Sequence, residues 1–187
     1  AGIWPDAPTE PGSAPPPDLT WVLKAASPER PVPGFNKPRP YVMFVPGGSA
    51  HRPEKRWPVE RYSELARILY ARGFDVVIIG GPAEADLAHA IQRAAPRARD
   101  LTGRTDFARV ALLGTKAALA IGNDTGPLHL AAAGGAPTIV LFSRASDPKL
   151  SAPRGRVAIL RAENLADLPV AQVAQAANSL APAPGAP

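Results

Sequence analysis

The sequence predicts an α/β fold, a doubly wound parallel sheet of Rossmann-like type. Three observations predict it. Short runs that are apolar throughout recur along the chain, as expected of strands covered on both faces. Amphipathic, helix-length segments separate them, so the connections are crossovers rather than hairpins, and right-handed crossovers wind the sheet twice. Several of the apolar runs end in glycine-rich polar turns, and ligands in such sheets bind beyond the carboxyl ends of the strands.

The elements follow in order. The 24 prolines of the 187 residues gather toward the ends, so residues 1–40 read as a proline-rich arm or linker, with Trp21-Val22-Leu23 as its anchor to a surface. The globular part spans 41–180. Residues 41–45, Tyr-Val-Met-Phe-Val, form the first buried strand, closed by Pro46-Gly47-Gly48. Pro58 opens a helix with Tyr62, Leu65, Ala66, Leu69 and Tyr70 on one face, and Gly73 ends it. Residues 74–79 form a second strand, stopped by Gly80-Gly81-Pro82. The helix over 83–95 turns Leu87, Ala90, Ile91 and Ala94 inward. Asp106 caps a short helix over 107–113. A strand over 117–122, a helix over 127–133, strands over 137–142 and 157–160 and a helix over 169–180 complete the unit. Residues 181–187 are expected to be a disordered tail.

Composition excludes several functions. Cysteine is absent, so there is no disulfide framework and no thiolate chemistry. No apolar run reaches the roughly 18–20 residues that span a bilayer. The net charge of +5 attracts anions weakly, but no interleaving of basic and aromatic residues points to nucleic acid. The Walker pattern is absent, and no G-x-G-x-x-G follows the first strand, which argues against an NAD enzyme. Gly47-Gly48-Ser49-Ala50-His51 starts like a nucleophile elbow but carries His where the closing Gly belongs.

Three loops carry the remaining chemistry. The first, 46–57, combines adjacent glycines with the Ser49 hydroxyl and the cations Lys55 and Arg56, the mix that phosphate recognition needs. Its bland alternative is a solvated basic loop, with Trp57 as a packing anchor. The second, 80–84, brings Glu84 to a helix start, as a stabiliser of that helix or as an acceptor for a ribose. The third is Ile121-Gly122-Asn123-Asp124-Thr125-Gly126-Pro127-Leu128-His129, a strand, a polar turn and a helix start, whose free N–H groups and dipole suit a phosphate. Asp124 or Thr125 could instead simply cap that helix, and His129 could be a packing residue or a hydrogen-bond donor to a phosphate. Asp124 and His129 alone do not make a metal site. His51 and His89 read as surface residues.

These motifs, in this order, resemble a known family. Lys55-Arg56-Trp57-Pro58, the Gly-Gly-x-x-Glu of 80–84, Leu101-Thr102-Gly103 and the stretch from Asn123 to Ala131 resemble the carboxyl-terminal, donor-binding half of the ADP-heptose:lipopolysaccharide heptosyltransferases, glycosyltransferase family 9. The resemblance covers roughly residues 40–180. It implies one lobe of a two-lobed GT-B glycosyltransferase that is inverting and metal-independent. The donor, ADP-heptose or a related nucleotide-sugar, is a substrate, and no cofactor is implied. Lys55, helped by Ser49, would pair with the donor phosphates. Asp124 would bind hydroxyls of the transferred sugar. Thr125, Gly126 and His129 would face the diphosphate, while Glu84 and residues 101–105 would flank the nucleoside.

The resemblance also implies partners and a location. Family enzymes carry an amino-terminal lobe that meets the lipopolysaccharide core acceptor and supplies the base. Residues 1–40 are too short to be that lobe, and the chain lacks an initiator Met, so it reads as a fragment expected to bind donor and transfer little sugar. A cytoplasmic protein, peripheral to the inner membrane, is expected. Phe142-Ser143-Arg144 stands where the family usually has Phe-Gly, which leaves the donor sugar open. Two other readings remain: a non-enzymatic nucleotide- or partner-binding module, and a sugar-nucleotide epimerase lobe.

Overall fold

The computed structural model describes residues 18–25, 39–48, 52–181 and 184. Ser49, most of the proline-rich arm and most of the 181–187 tail lie outside the described residues.

Six parallel strands form one sheet: β1 Tyr41–Val45, β2 Asp75–Ile78, β3 Arg99–Asp100, β4 Leu119–Asn123, β5 Thr138–Ser143 and β6 Val157–Ala162. Their order is β3-β2-β1-β4-β5-β6, so the winding reverses between β1 and β4. Tyr41 registers with Asp75 on one side of β1, and Val42 with Leu119 on the other. The helices are α1 Thr20–Ala25, α2 Val59–Ala71, α3 Ala85–Ala94, α4 Phe107–Gly114, α5 Gly126–Ala133, α6 Pro148–Ser151 and α7 Val170–Leu180.

Alternation along each strand divides the core into two halves. Val42, Phe44, Val76, Ile78, Leu119, Ile121, Ile139 and Leu141 face α2, α3 and α7, where Leu65, Leu69, Ile91 and Val173 are buried. Met43, Val45, Val77, Ala120, Val140 and Phe142 face α4 and α5, where Val110, Leu113, Leu128 and Ala131 are buried. The doubly wound class is as expected.

Local differences have physical reasons. Pro58 is the residue before the first turn of α2, with an extended ψ of 141°, rather than the first helical residue. Pro82–Glu84 forms a single 3-10 turn ahead of α3. Within α3, Ala88 is buried beside Ile91, whereas Leu87, Ala90 and Ala94 are only partly so. Asp106 caps α4 as expected, its carboxylate accepting from the Arg109 N–H at 2.7 Å. Strand β3 and helices α1 and α6 were not anticipated. Each is too short or too polar to leave an apolar period. In α1, Val22 is buried, and the helix lies along α4.

Candidate functional site

The cleft opens where the winding reverses, at the carboxyl ends of β1, β2 and β4. Its lining joins Val45, Gly47 and Gly48 after β1, Ile79 to Gly81 and Glu84 after β2, and Asp124 to Pro127 after β4, around a volume of about 320 Å³. The three loops singled out in the sequence therefore meet in space.

Asn123 holds two of them together. It ends β4 with no exposed surface. Its Nδ2 donates to the carbonyls of Pro46 at 2.8 Å and Gly47 at 3.0 Å. Its Oδ1 accepts from the Trp57 N–H at 3.0 Å and the Tyr62 hydroxyl at 3.3 Å. All the hydrogen-bonding capacity of the amide is spent on the loop after β1 and the start of α2. Trp57 is the packing anchor expected: its ring lies edge-on to Tyr62 at 4.8 Å, and its Nε1 donates to Leu168 O at 3.0 Å. Burial pushes the Tyr62 phenol far above its ordinary value.

The second loop turns on Glu84. Its Oε2 accepts from the Gly81 N–H at 2.8 Å, so the helix-stabilising role is realised. The side chain then crosses the glycines. A Cβ on Gly47 would come within 2.7 Å of Glu84 Cγ, and one on Gly80 within 2.9 Å of Glu84 Cβ. The room these glycines leave is filled by the acid, which lines the cleft with them. The Leu101-Thr102-Gly103 turn packs beside this loop, with the Gly103 N–H donating to Gly80 O at 2.9 Å. Asp100 fixes Thr102 through its N–H at 2.8 Å and its hydroxyl at 2.6 Å.

At the third loop, the capping alternative is not realised. Thr125 occupies the cap position of α5 without a side-chain cap bond. Its Oγ1 is buried and has no partner among the described residues. Asp124 turns instead toward His129, whose Nε2 lies 3.3 Å from Oδ1. Pro127 has no N–H, and the Leu128 N–H turns back to Thr125 O at 3.1 Å. In the first turn of α5 the Gly126 N–H is thus left without a partner among the described residues, at the positive end of the helix dipole, which suits an anion.

The basic loop contributes differently from the glycines. Lys55 ends a 3-10 turn, Pro53–Lys55, and does not line the cleft among the described residues. Arg56, next to it, donates to the Gly48 carbonyl, and its Nε is buried without a partner among the described residues. Glu84, Asp124, Thr125 and Gly126 line the cleft. His129 borders an adjoining groove of about 720 Å³ that shares Gly126 with it. His89 is exposed, with Nε2 3.8 Å from Asp100 Oδ2. The sequence reading assigned no role to Asn123 or Ser151. Ser151 approaches the Asp124 carboxylate from α6 at 3.4 Å. An Asn ending a buried strand was the available signal for the first; nothing local marked the second.

Comparison with known proteins bears on this geometry. The model of glycosyltransferase family 9 (heptosyltransferase) matches residues 11–175. The chain is 31% identical over 120 residues to lipooligosaccharide heptosyltransferase 2 of Haemophilus influenzae, covering 62% of this chain and 34% of that protein. It is 36% identical over 106 residues to lipopolysaccharide heptosyltransferase 3 of Escherichia coli, covering 54% and 31%. Among solved structures, the E. coli ADP-heptose lps heptosyltransferase II superposes with a TM-score of 0.69 at 27% identity, over 76% of this chain and 46% of that one. The E. coli heptosyltransferase WaaC with ADP gives 0.69 at 27% identity, over 75% and 44%. The chain spans about a third of the length of the curated relatives it matches.

Proposed function

The chain belongs to glycosyltransferase family 9, and on that premise we propose that its cleft is the donor site of a heptosyltransferase of lipopolysaccharide core biosynthesis. The observation that carries this reading is the start of α5. It is uncapped, with Thr125 Oγ1 unpaired among the described residues, and it opens into a cleft framed by the loops after β1 and β2.

In this reading, residues 41–180 are the nucleotide-sugar-binding unit and correspond to the carboxyl-terminal lobe of a two-lobed enzyme. The donor is ADP-heptose or a related ADP-sugar. Its diphosphate faces Thr125, Gly126 and the helix start, with His129 at the adjoining groove. Lys55, which reaches it from outside the cleft lining, and Ser49 are assigned to the phosphates from the family resemblance. Asp124 takes hydroxyls of the sugar, and Glu84 with the 101–105 turn flanks the nucleoside. The acceptor hydroxyl attacks the anomeric carbon from the side opposite the diphosphate, so the configuration inverts. The bond to the diphosphate breaks, and the acceptor's proton passes to a base on the other lobe. Cations and the helix dipole, rather than a divalent ion, stabilise the leaving diphosphate. No described helix is long and apolar enough to cross a membrane. We place the protein in the cytoplasm, peripheral to the inner membrane where its lipopolysaccharide core acceptor lies.

Calorimetric titration with ADP, and with GDP and UDP as controls, tests the reading. ADP should bind selectively, Lys55→Ala should weaken ADP binding, and Asp124→Ala should weaken ADP-heptose binding. Equal affinity for the three nucleotides, or unchanged affinity in both variants, would overturn the assignment.

A further inference from the structure

Asp124 is gripped from two directions. His129 Nε2 stands 3.3 Å from Oδ1. On the other side, the Ser151 hydroxyl stands 3.4 Å from Oδ2 and 3.2 Å from the Asp147 carbonyl. A hydroxyl has one proton to give, and a carboxylate is the stronger acceptor of the two. The Asp124 side chain remains 13% exposed, and a carboxylate has about four lone-pair sites, so two single contacts leave acceptor capacity for a ligand.

Ser151 reaches Asp124 from the neighbouring strand's loop, on a turn that supports itself. Beyond β5, Ser143 Oγ accepts from the Ala145 N–H at 3.2 Å. Asp147 caps α6 by accepting from the Lys149 N–H at 3.0 Å. The Ser151 N–H then donates to Asp147 O at 3.2 Å, and the Ala152 N–H to Pro148 O at 2.9 Å. This same segment carries Phe142-Ser143-Arg144, where the chain departs from the resemblance.

We propose that Ser151 is a positioning residue that selects the transferred sugar of the donor. It acts through Asp124, fixing the carboxylate plane so that the free lone pairs meet one arrangement of sugar hydroxyls. The inference rests on the donor-site reading above and adds to it which element tunes the sugar end.

The test compares ADP, which has no transferable sugar, with ADP-heptose. Both are titrated into the 187-residue chain and into Ser151→Ala and Ser151→Thr. The unsubstituted chain should prefer ADP-heptose. Ser151→Ala should reduce that preference by about tenfold, the worth of one charge-assisted hydrogen bond, while leaving ADP affinity unchanged. Ser151→Thr, which keeps the hydroxyl, should restore it. A preference unchanged in Ser151→Ala, an equal fall for both ligands, or no preference in the unsubstituted chain overturns the proposal. Failure of the unsubstituted chain to bind ADP at all overturns the donor-site reading instead, and this proposal falls with it.

Discussion

Asn123 and Glu84 decide the shape of the cleft through side chains that need not touch a ligand. Asn123 faces two carbonyls with its amide nitrogen and two donors with its oxygen. Asn123→Asp would set a buried carboxylate against the Pro46 and Gly47 carbonyls. We expect a loss of about 3 kcal/mol in urea unfolding, the usual cost of an unpaired buried polar group or charge. Gly47→Ala should act on binding rather than on stability. Its Cβ would press on the flexible Glu84 side chain at 2.7 Å, so the acid moves while the core stays. Stability should change by less than about 1 kcal/mol, and ADP affinity by calorimetry should fall. The sequence showed these glycines plainly but not their purpose. It suggested close approach by a ligand, whereas the atoms nearest a Cβ on Gly47 belong to Glu84, an acid 37 positions further along the chain.

At the scale of elements, α4 and α5 pack backbone to backbone. A Cβ on Gly114 would lie 2.6 Å from Ala131 O, and one on Gly134 would lie 2.4 Å from Ala111 O. Neither clash is with a side chain that could rotate away. Gly134→Ala should therefore separate the two helices at a cost of about 2–3 kcal/mol, lowering the thermal midpoint. Because α5 also starts at the cleft with Gly126 and Pro127, the ADP affinity of the variant should fall as well. The long apolar strands and the α2, α4 and α7 helices were legible because burial leaves a period. Strand β3, only Arg99–Asp100, was not. Its pairing with β2 is made by backbone groups, which are alike in every sequence.

For the molecule as a whole, alkali should be the weak side. Burial raises the phenols of Tyr41 and Tyr62 above their ordinary value near 10. The folded protein thus holds these protons more tightly than the unfolded chain. Their contribution is complete below pH 10 and is lost as pH rises through the folded values. Stability measured by urea midpoint should decline above about pH 10, and Tyr62→Phe should make that decline shallower. The parallel, doubly wound plan and the three loops at the carboxyl ends of its strands could be read from the sequence, because apolar runs and crossover lengths fix them. The neighbour order β3-β2-β1-β4-β5-β6 could not, since it depends on which crossover reverses direction. The joining of Asp124 to Ser151 across 27 positions was equally hidden, because it follows from that order.

The amide of Asn123 also governs motion. Because the Trp57 N–H, the Pro46 and Gly47 carbonyls and the Tyr62 hydroxyl share one side chain, none of them can loosen alone. In deuterated buffer, the Trp57 amide should exchange as slowly as the amides of β4, on the timescale of global opening. The Gly81 amide, bonded only to an exposed Glu84 oxygen, should exchange within the fast, local regime. If the cleft takes the nucleotide proposed for it, its admission is controlled from the Glu84 edge, with the Asn123 edge serving as a fixed jamb.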